Sequence, residues 1–236
     1  MMQFSLLEQI ALAIFLLSGI SFFLYHLLLR LKIVLKGKSD FSIDQLPRRI
    51  IRVFDEVILH KKVASGKRKS AGILHALVMY GFIFFGLITI NHFGMAFGLP
   101  IFSDSIRHSY FLFFGAPWAI LCSIGILGLA YRRFVIKPEA LGKFSSTSAI
   151  VSVFIVTLMV TYLIDEFHIL SGTAEKFNWW LHSGVIGGFL FLIPQSKHMH
   201  LVLSPFNIFL RPFEVPSHGA IPIDMEASEE ELDNLL

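Results

Sequence analysis

Residues 179–200 read WWLHSGVIGGFLFLIPQSKHMH, an apolar run with a histidine near each end. His182 and His200 are 18 residues apart. At about 100° per residue, 18 residues close roughly five turns, so on one continuous helix the two imidazoles share a face. A rise of about 1.5 Å per residue separates them by about 27 Å. The hydrocarbon core of a bilayer is about 30 Å thick. A helix with a metal-binding side chain at each membrane face is suited to holding two hemes stacked across the membrane.

Composition agrees with a membrane setting. The chain has 236 residues, 55% hydrophobic, 16% charged, 25 of them Phe, with a mean hydropathy of +0.69. Soluble domains carry about 25% charged residues. The one cysteine, Cys122, excludes an internal disulfide and a C-x-x-C-H attachment site. It also excludes a cysteine-ligated cluster or structural zinc built by this sequence alone. Any heme is therefore non-covalent and b type, and any iron–sulfur chemistry belongs to a partner. The amino terminus lacks a basic n-region and a small-residue cleavage site and carries Glu8. It reads as a first span rather than a signal peptide.

Five apolar runs are long enough to cross a bilayer, at 9–29, 72–95, 109–131, 147–165 and 179–196. Trp179 and Trp180 read as an interfacial aromatic anchor. Of the 20 Lys and Arg, twelve lie in 30–69 and four in 132–143, with Lys197 and Arg211 after the fifth span. Only Arg107 and Lys176 fall in the other loops. The positive-inside rule puts the basic side in the cytoplasm, so the N-terminus is outside and the C-terminus inside. The fold expected is an all-α, five-helix, multi-pass protein of the cytoplasmic membrane. Residues 1–211 form the membrane domain, with a basic cytoplasmic loop at 31–69, and 212–236 form an acidic cytoplasmic tail or linker. In the loop, Leu46, Ile50, Ile51, Phe54, Val57 and Ile58 alternate with Arg48, Arg49, Arg52, Asp55 and Glu56. That spacing fits a helix lying in the membrane interface, a solvated basic loop, or a docking surface for an acidic partner. The tail after Arg211 holds seven acidic residues, no Lys or Arg, and Pro212, Pro216 and Pro222, a composition that favours an extended chain.

Ionisable groups inside a membrane are costly and point to function, and imidazole is an axial ligand of heme iron. His75 opens the second span and His92 ends it; His182 opens the fifth and His200 ends it. In antiparallel helices, residues at one level share an index sum. The pairs His75–His200 and His92–His182 have sums of 275 and 274, which gives one imidazole pair at each membrane face. Against the outer pair, His75 and His92 are 17 residues apart and differ by about 100° in azimuth, and His92 reads alternatively as an interfacial histidine. His198 faces about 160° away from His182, so His200 is the better ligand and His198 meets water, headgroup or a heme propionate. His26, His60, His108, His168 and His218 read as surface residues. Gly184 and Gly188 form a G-x-x-x-G step, which serves helix packing or a porphyrin pressed on the helix.

Pro194-Gln195-Ser196-Lys197-His198-Met199-His200, after Leu181-His182-Ser183, resembles the last helix of the gamma subunit of respiratory nitrate reductases. It resembles equally the cytochrome b subunits of membrane-bound heterodisulfide reductases. The resemblance covers about residues 5–210. It implies that His200 and His75 (in Leu74-His75-Ala76) ligate a cytoplasmic-side heme and that His182 ligates an outer one. Nitrate reductase gamma subunits carry a further ligand ten residues after the first, where this chain has Phe85. The outer heme then uses His92, is bound differently, or is missing, so two hemes are expected, or one. Larger fused relatives of heterodisulfide reductase continue past Ser204-Pro205-Phe206-Asn207-Ile208-Phe209 and an acidic linker into an iron–sulfur half. The chain is expected either to stand alone or to be the membrane part of a longer protein.

The function expected is that of a diheme b-type cytochrome moving electrons between menaquinone or ubiquinone and a cytoplasmic iron–sulfur oxidoreductase partner, as the quinone-reactive subunit of a membrane complex. Asp165, Glu166, His168 and Lys176 are the outer-side groups available for quinone protons. A heme-free membrane anchor of a redox complex is the alternative. A proton-coupled transporter is disfavoured, because the spans lack mid-membrane charges and paired broken helices.

Overall fold

The computed structural model describes residues 4–34, 44–59, 69–211 and 213. Among these the structure is helical throughout, with no strand. The elements are α1 (Leu6–Val34), α2 (Leu46–Val53, extended by a π turn, Phe54–Ile58), α3 (Lys69–Ala96), α4 (Asp104–Ile136), α5 (Ser146–Glu166), α6 (Gly172–Leu192) and α7 (His200–Leu210). Within the α4 rod a π turn, Phe111–Gly115, precedes Pro117. Proline has no N–H and its ring crowds the carbonyl four residues back, and a local switch in hydrogen-bond register relieves that clash.

Four described helices are long and apolar enough to cross a membrane: Leu6–Ile33, Lys69–Ala96, Asp104–Ile136 and Ser146–Glu166. They coincide with the first four sequence spans, extending the first three by several residues and the fourth by one at each end. Their large side chains face outward, as at Ile14, Leu17, Leu87 and Val153, all more than half exposed. Helices apolar on every side suit a lipid environment.

The fifth span differs from its expectation in two respects. Its helix, α6, is not among the four, because its first two turns carry Glu175, Lys176 and Asn178 and it stops at Leu192. The single helix expected to join His182 to His200 is also broken. Pro194 is fully buried just beyond α6, and proline cannot continue the backbone ladder. A 3-10 turn follows at Lys197–Met199, capped by Ser196, whose Oγ accepts the His198 N–H at 3.2 Å. His200 then starts α7, a separate helix.

α3 packs on α4, α4 on α5, α5 on α6 and α6 on α1. The core of this row is Phe111, Ala119, Cys122, Met159 and Tyr162. The α3–α4 approach is close: a Cβ at Gly125 would lie 2.8 Å from the Leu74 carbonyl oxygen. At the amino-terminal end of the bundle, Gln9 Nε2 donates to Ala96 O at 2.9 Å, and Lys176 pairs with Glu8 at 2.7 Å.

At the opposite end α2 docks on α7. Arg49 is buried; its Nη1 donates to Phe209 O at 2.8 Å and its Nη2 pairs with Asp44 Oδ1 at 2.8 Å. Arg52 donates to Arg211 O at 2.6 Å. Two of the three arginines therefore satisfy carbonyls at and just beyond the α7 terminus, which corrects the solvated-loop reading for these residues. Leu46, Ile50, Ile51 and Phe54 stay exposed, the apolar face required of an interfacial helix. The remainder of the basic loop with His60, and the acidic tail with His218, lie outside the described residues apart from Phe213.

Candidate functional site

The structure brings the four histidines together in two pairs. The rings of His75 and His200 have centroids 6.1 Å apart, and those of His92 and His182 are 5.0 Å apart. The index sums pair the same residues. The azimuth offset between His75 and His92 does not prevent this, because His200 is not on the α6 axis. With His200 displaced onto α7, α3 need not present both histidines on one face. His198 lies 6.3 Å from His200 with its Nδ1 at 3.2 Å from Ser196 Oγ. Burial first, then the Lys197 charge, pulls the His198 pKa down to about 4.

Hydrogen bonds decide which nitrogen each ring presents. His200 Nδ1 lies 2.9 Å from Lys197 O. A carbonyl only accepts, so Nδ1 carries the proton and Nε2 keeps its lone pair. His182 Nδ1 lies 2.7 Å from Thr161 Oγ1, which donates its own proton to Thr157 O at 2.7 Å. Thr161 therefore accepts from His182, whose Nε2 is again the basic nitrogen. This is the arrangement by which an outer hydrogen bond fixes a ligating imidazole's tautomer. His92 differs: its Nε2 lies 2.9 Å from Ser183 Oγ, and its ring stacks on Trp179 at 4.7 Å and 16°.

Two imidazoles on opposite sides of one metal ion, each bonded at about 2 Å, have ring centroids about 6 Å apart. The His75–His200 pair fits that span. The His92–His182 pair is about 1 Å closer, and ligation through His92 Nε2 would displace Ser183. Among the described residues no group of three or more His, Cys, Asp or Glu side chains is positioned for a metal ion. A porphyrin supplies four nitrogens itself and takes only axial ligands from protein. The glycines divide between the two roles open to them: a Cβ at Gly187 would strike Phe15 and one at Gly188 would meet Phe154, whereas Gly184 faces open space.

A cavity of about 280 Å³ opens beside His92 and His182, lined also by Arg107, Tyr110, Asp165 and Glu166. Arg107 Nη1 sits 3.5 Å from Glu166 Oε1. His168 lines the same cavity. Lys176 is tied instead to Glu8.

Several site residues escaped sequence reasoning. Thr161 orients His182, Asn178 Nδ2 donates to Thr161 O at 2.9 Å, and Asn91 Oδ1 accepts the N–H groups of Ile101 and Phe102 at 2.9 and 3.0 Å. Trp179, read as an interfacial anchor, is 5% exposed and packs inside on His92. The available signal was a buried-type hydroxyl or amide inside an apolar span, which needs a partner across helices.

No family model and no solved structure matches the chain. It is 28% identical over 222 residues to the probable iron-sulfur-binding oxidoreductase FadF of Bacillus subtilis, covering 81% of this chain and 31% of that protein. It is 22% identical over 262 residues to the EtfAB:quinone oxidoreductase of Syntrophomonas wolfei, covering 92% of this chain and 35% of that protein. The chain spans about a third of the length of these curated relatives. The likeness points to a redox-related family.

Proposed function

We propose that the chain is a b-type membrane cytochrome passing electrons between quinone and an iron–sulfur oxidoreductase, carried either as a partner subunit or in the same longer protein. One observation carries this reading. His200, its Nδ1–H held by a backbone carbonyl, keeps a basic Nε2, and its ring lies 6.1 Å from that of His75, the spacing of two axial ligands. The names of both relatives concern iron–sulfur or quinone redox chemistry.

In this reading α6 is a fifth span, the Lys/Arg-rich end is cytoplasmic, and the His75–His200 heme lies at that face. A second heme lies between His92 and His182. A bound heme supplies one-electron transfer. The protein's part is to fix the imidazole tautomers, exclude water and tune potential through burial and hydrogen bonds. Menaquinone or ubiquinone occupies the cavity beside His182, where Arg107, Asp165 and Glu166 supply hydrogen bonds and proton exchange. The heme-free anchor survives as a second reading on a specific observation: one nitrogen of His92 and one of His182 already bond Ser183 and Thr161, as in packing histidines.

Purified full-length protein, expressed with heme supply, is expected to give a reduced-minus-oxidised b-type spectrum with about two hemes per chain. One heme assigns the His92–His182 pair to packing. Colourless protein refutes the proposal.

A further inference from the structure

Two cations lie within electrostatic reach of each other at the end of the bundle that holds His75 and His200. Lys197 precedes α7 by one turn, and its Nζ donates to Ser148 Oγ on α5 at 2.7 Å. Arg133 lies in the last turn of α4, where its Nη2 donates to Lys143 O at 3.2 Å. The Arg133 Nε is buried and meets no acceptor among the described residues. Partial burial, then the Arg133 charge, pulls the Lys197 pKa down. Among the described residues no carboxylate forms an ion pair with either. Like charges within reach of each other, one with a buried N–H lacking an acceptor, are unfavourable unless an anion joins them.

The geometry points to a carboxylate site: Lys197 and Arg133 hold the propionates of the heme whose iron lies between His75 and His200. This rests on the heme reading above. Lys197 stands three residues before its ligand, and the turn that gives its carbonyl to His200 Nδ1 also aims its ammonium toward α5. One backbone segment thus sets both the axial imidazole and the carboxylate partner. Nζ has donors left after Ser148, and the guanidinium keeps its Nε–H for a charge-assisted bond. A cation beside the heme disfavours the more positive ferric state and raises the potential.

The test uses full-length protein in detergent, comparing the parent with Lys197→Gln, Arg133→Gln, the double variant and Lys197→Arg. Arg132→Gln is a same-face control. Potentiometric titration and the rate of heme transfer to apomyoglobin are the readouts. The double variant is expected to lower the midpoint of one heme only and to release that heme about tenfold faster, while Lys197→Arg restores both and Arg132→Gln changes neither. Unchanged midpoint and release rate in a heme-replete double variant overturn the inference and leave the heme reading standing. So does a variant altered only in its response to added anionic lipid, which would assign the site to a headgroup phosphate. If the double variant does not accumulate, Lys197→Gln, at an exposed side chain, decides by the same midpoint criterion. A colourless parent removes the heme reading itself.

Discussion

Thr161→Val replaces one buried hydroxyl with a methyl of similar shape. Thr161 is 4% exposed and sits between two helices. Its Oγ1 donates to Thr157 O and accepts from His182 Nδ1, both at 2.7 Å, while its own carbonyl accepts from Asn178. Valine keeps the packing and the carbonyl and removes the acceptor for His182 together with the hydroxyl's own bond to Thr157 O. Cross-helix hydrogen bonds in membrane proteins average about 0.6 kcal/mol and reach about 1.7 kcal/mol, so thermal stability in detergent should fall by less than about 2 kcal/mol. Loss of the group that orients a ligating imidazole costs about 10–100-fold in metal affinity or activity. A purely structural role at the average value predicts a change of less than about threefold. Heme per chain and the rate of heme transfer to apomyoglobin separate these outcomes. The expectation is about tenfold or faster release of one heme, near-parental melting, and rescue by Thr161→Ser. Parental heme content and release rate in Thr161→Val refute the assignment of His182 as a ligand.

His200→Ala is expected to remove one heme while the chain still accumulates in the membrane, and pyridine hemochrome counting checks it; retention of full heme defeats the pairing with His75. Gly187→Ala drives a methyl into the Phe15 ring and should destabilise the α1–α6 contact by about 1–3 kcal/mol. Gly184→Ala meets nothing within 4 Å and should melt like the parent, so a comparison of detergent melting curves tests both. Arg49→Ala removes charged hydrogen bonds to Phe209 O and Asp44, worth about 1.5–3 kcal/mol each. Faster amide hydrogen exchange confined to 44–58 and 200–211 is the expected readout.

The spans α1, α3, α4 and α5 were legible in the chain because twenty or more consecutive apolar residues have few alternatives to a helix in lipid. The two histidine pairs were legible because index sums report height in antiparallel helices; the sum for His75 and His200 names the right pair even though His200 lies past the break at Pro194. Azimuth was not legible in the same way. It depends on where each helix axis lies, and Pro194 moved His200 onto a different axis from His182. The sense of the glycine step was likewise undecidable until Phe15 and Phe154 were seen to fill the space over Gly187 and Gly188 but not that over Gly184.

Composition and local order, on their own, determined a helical membrane protein with imidazoles at two depths and positive charge gathered at one end, since hydrophobic length and charge bias act through the solvent and need no partner residue. Tertiary structure alone decided which ring nitrogen is left basic, that Trp179 turns inward, that Arg49 closes α7, and that Lys197 reaches Ser148. Each of these is a hydrogen bond or contact between side chains distant in sequence, whose geometry exists only once the helix axes have been set.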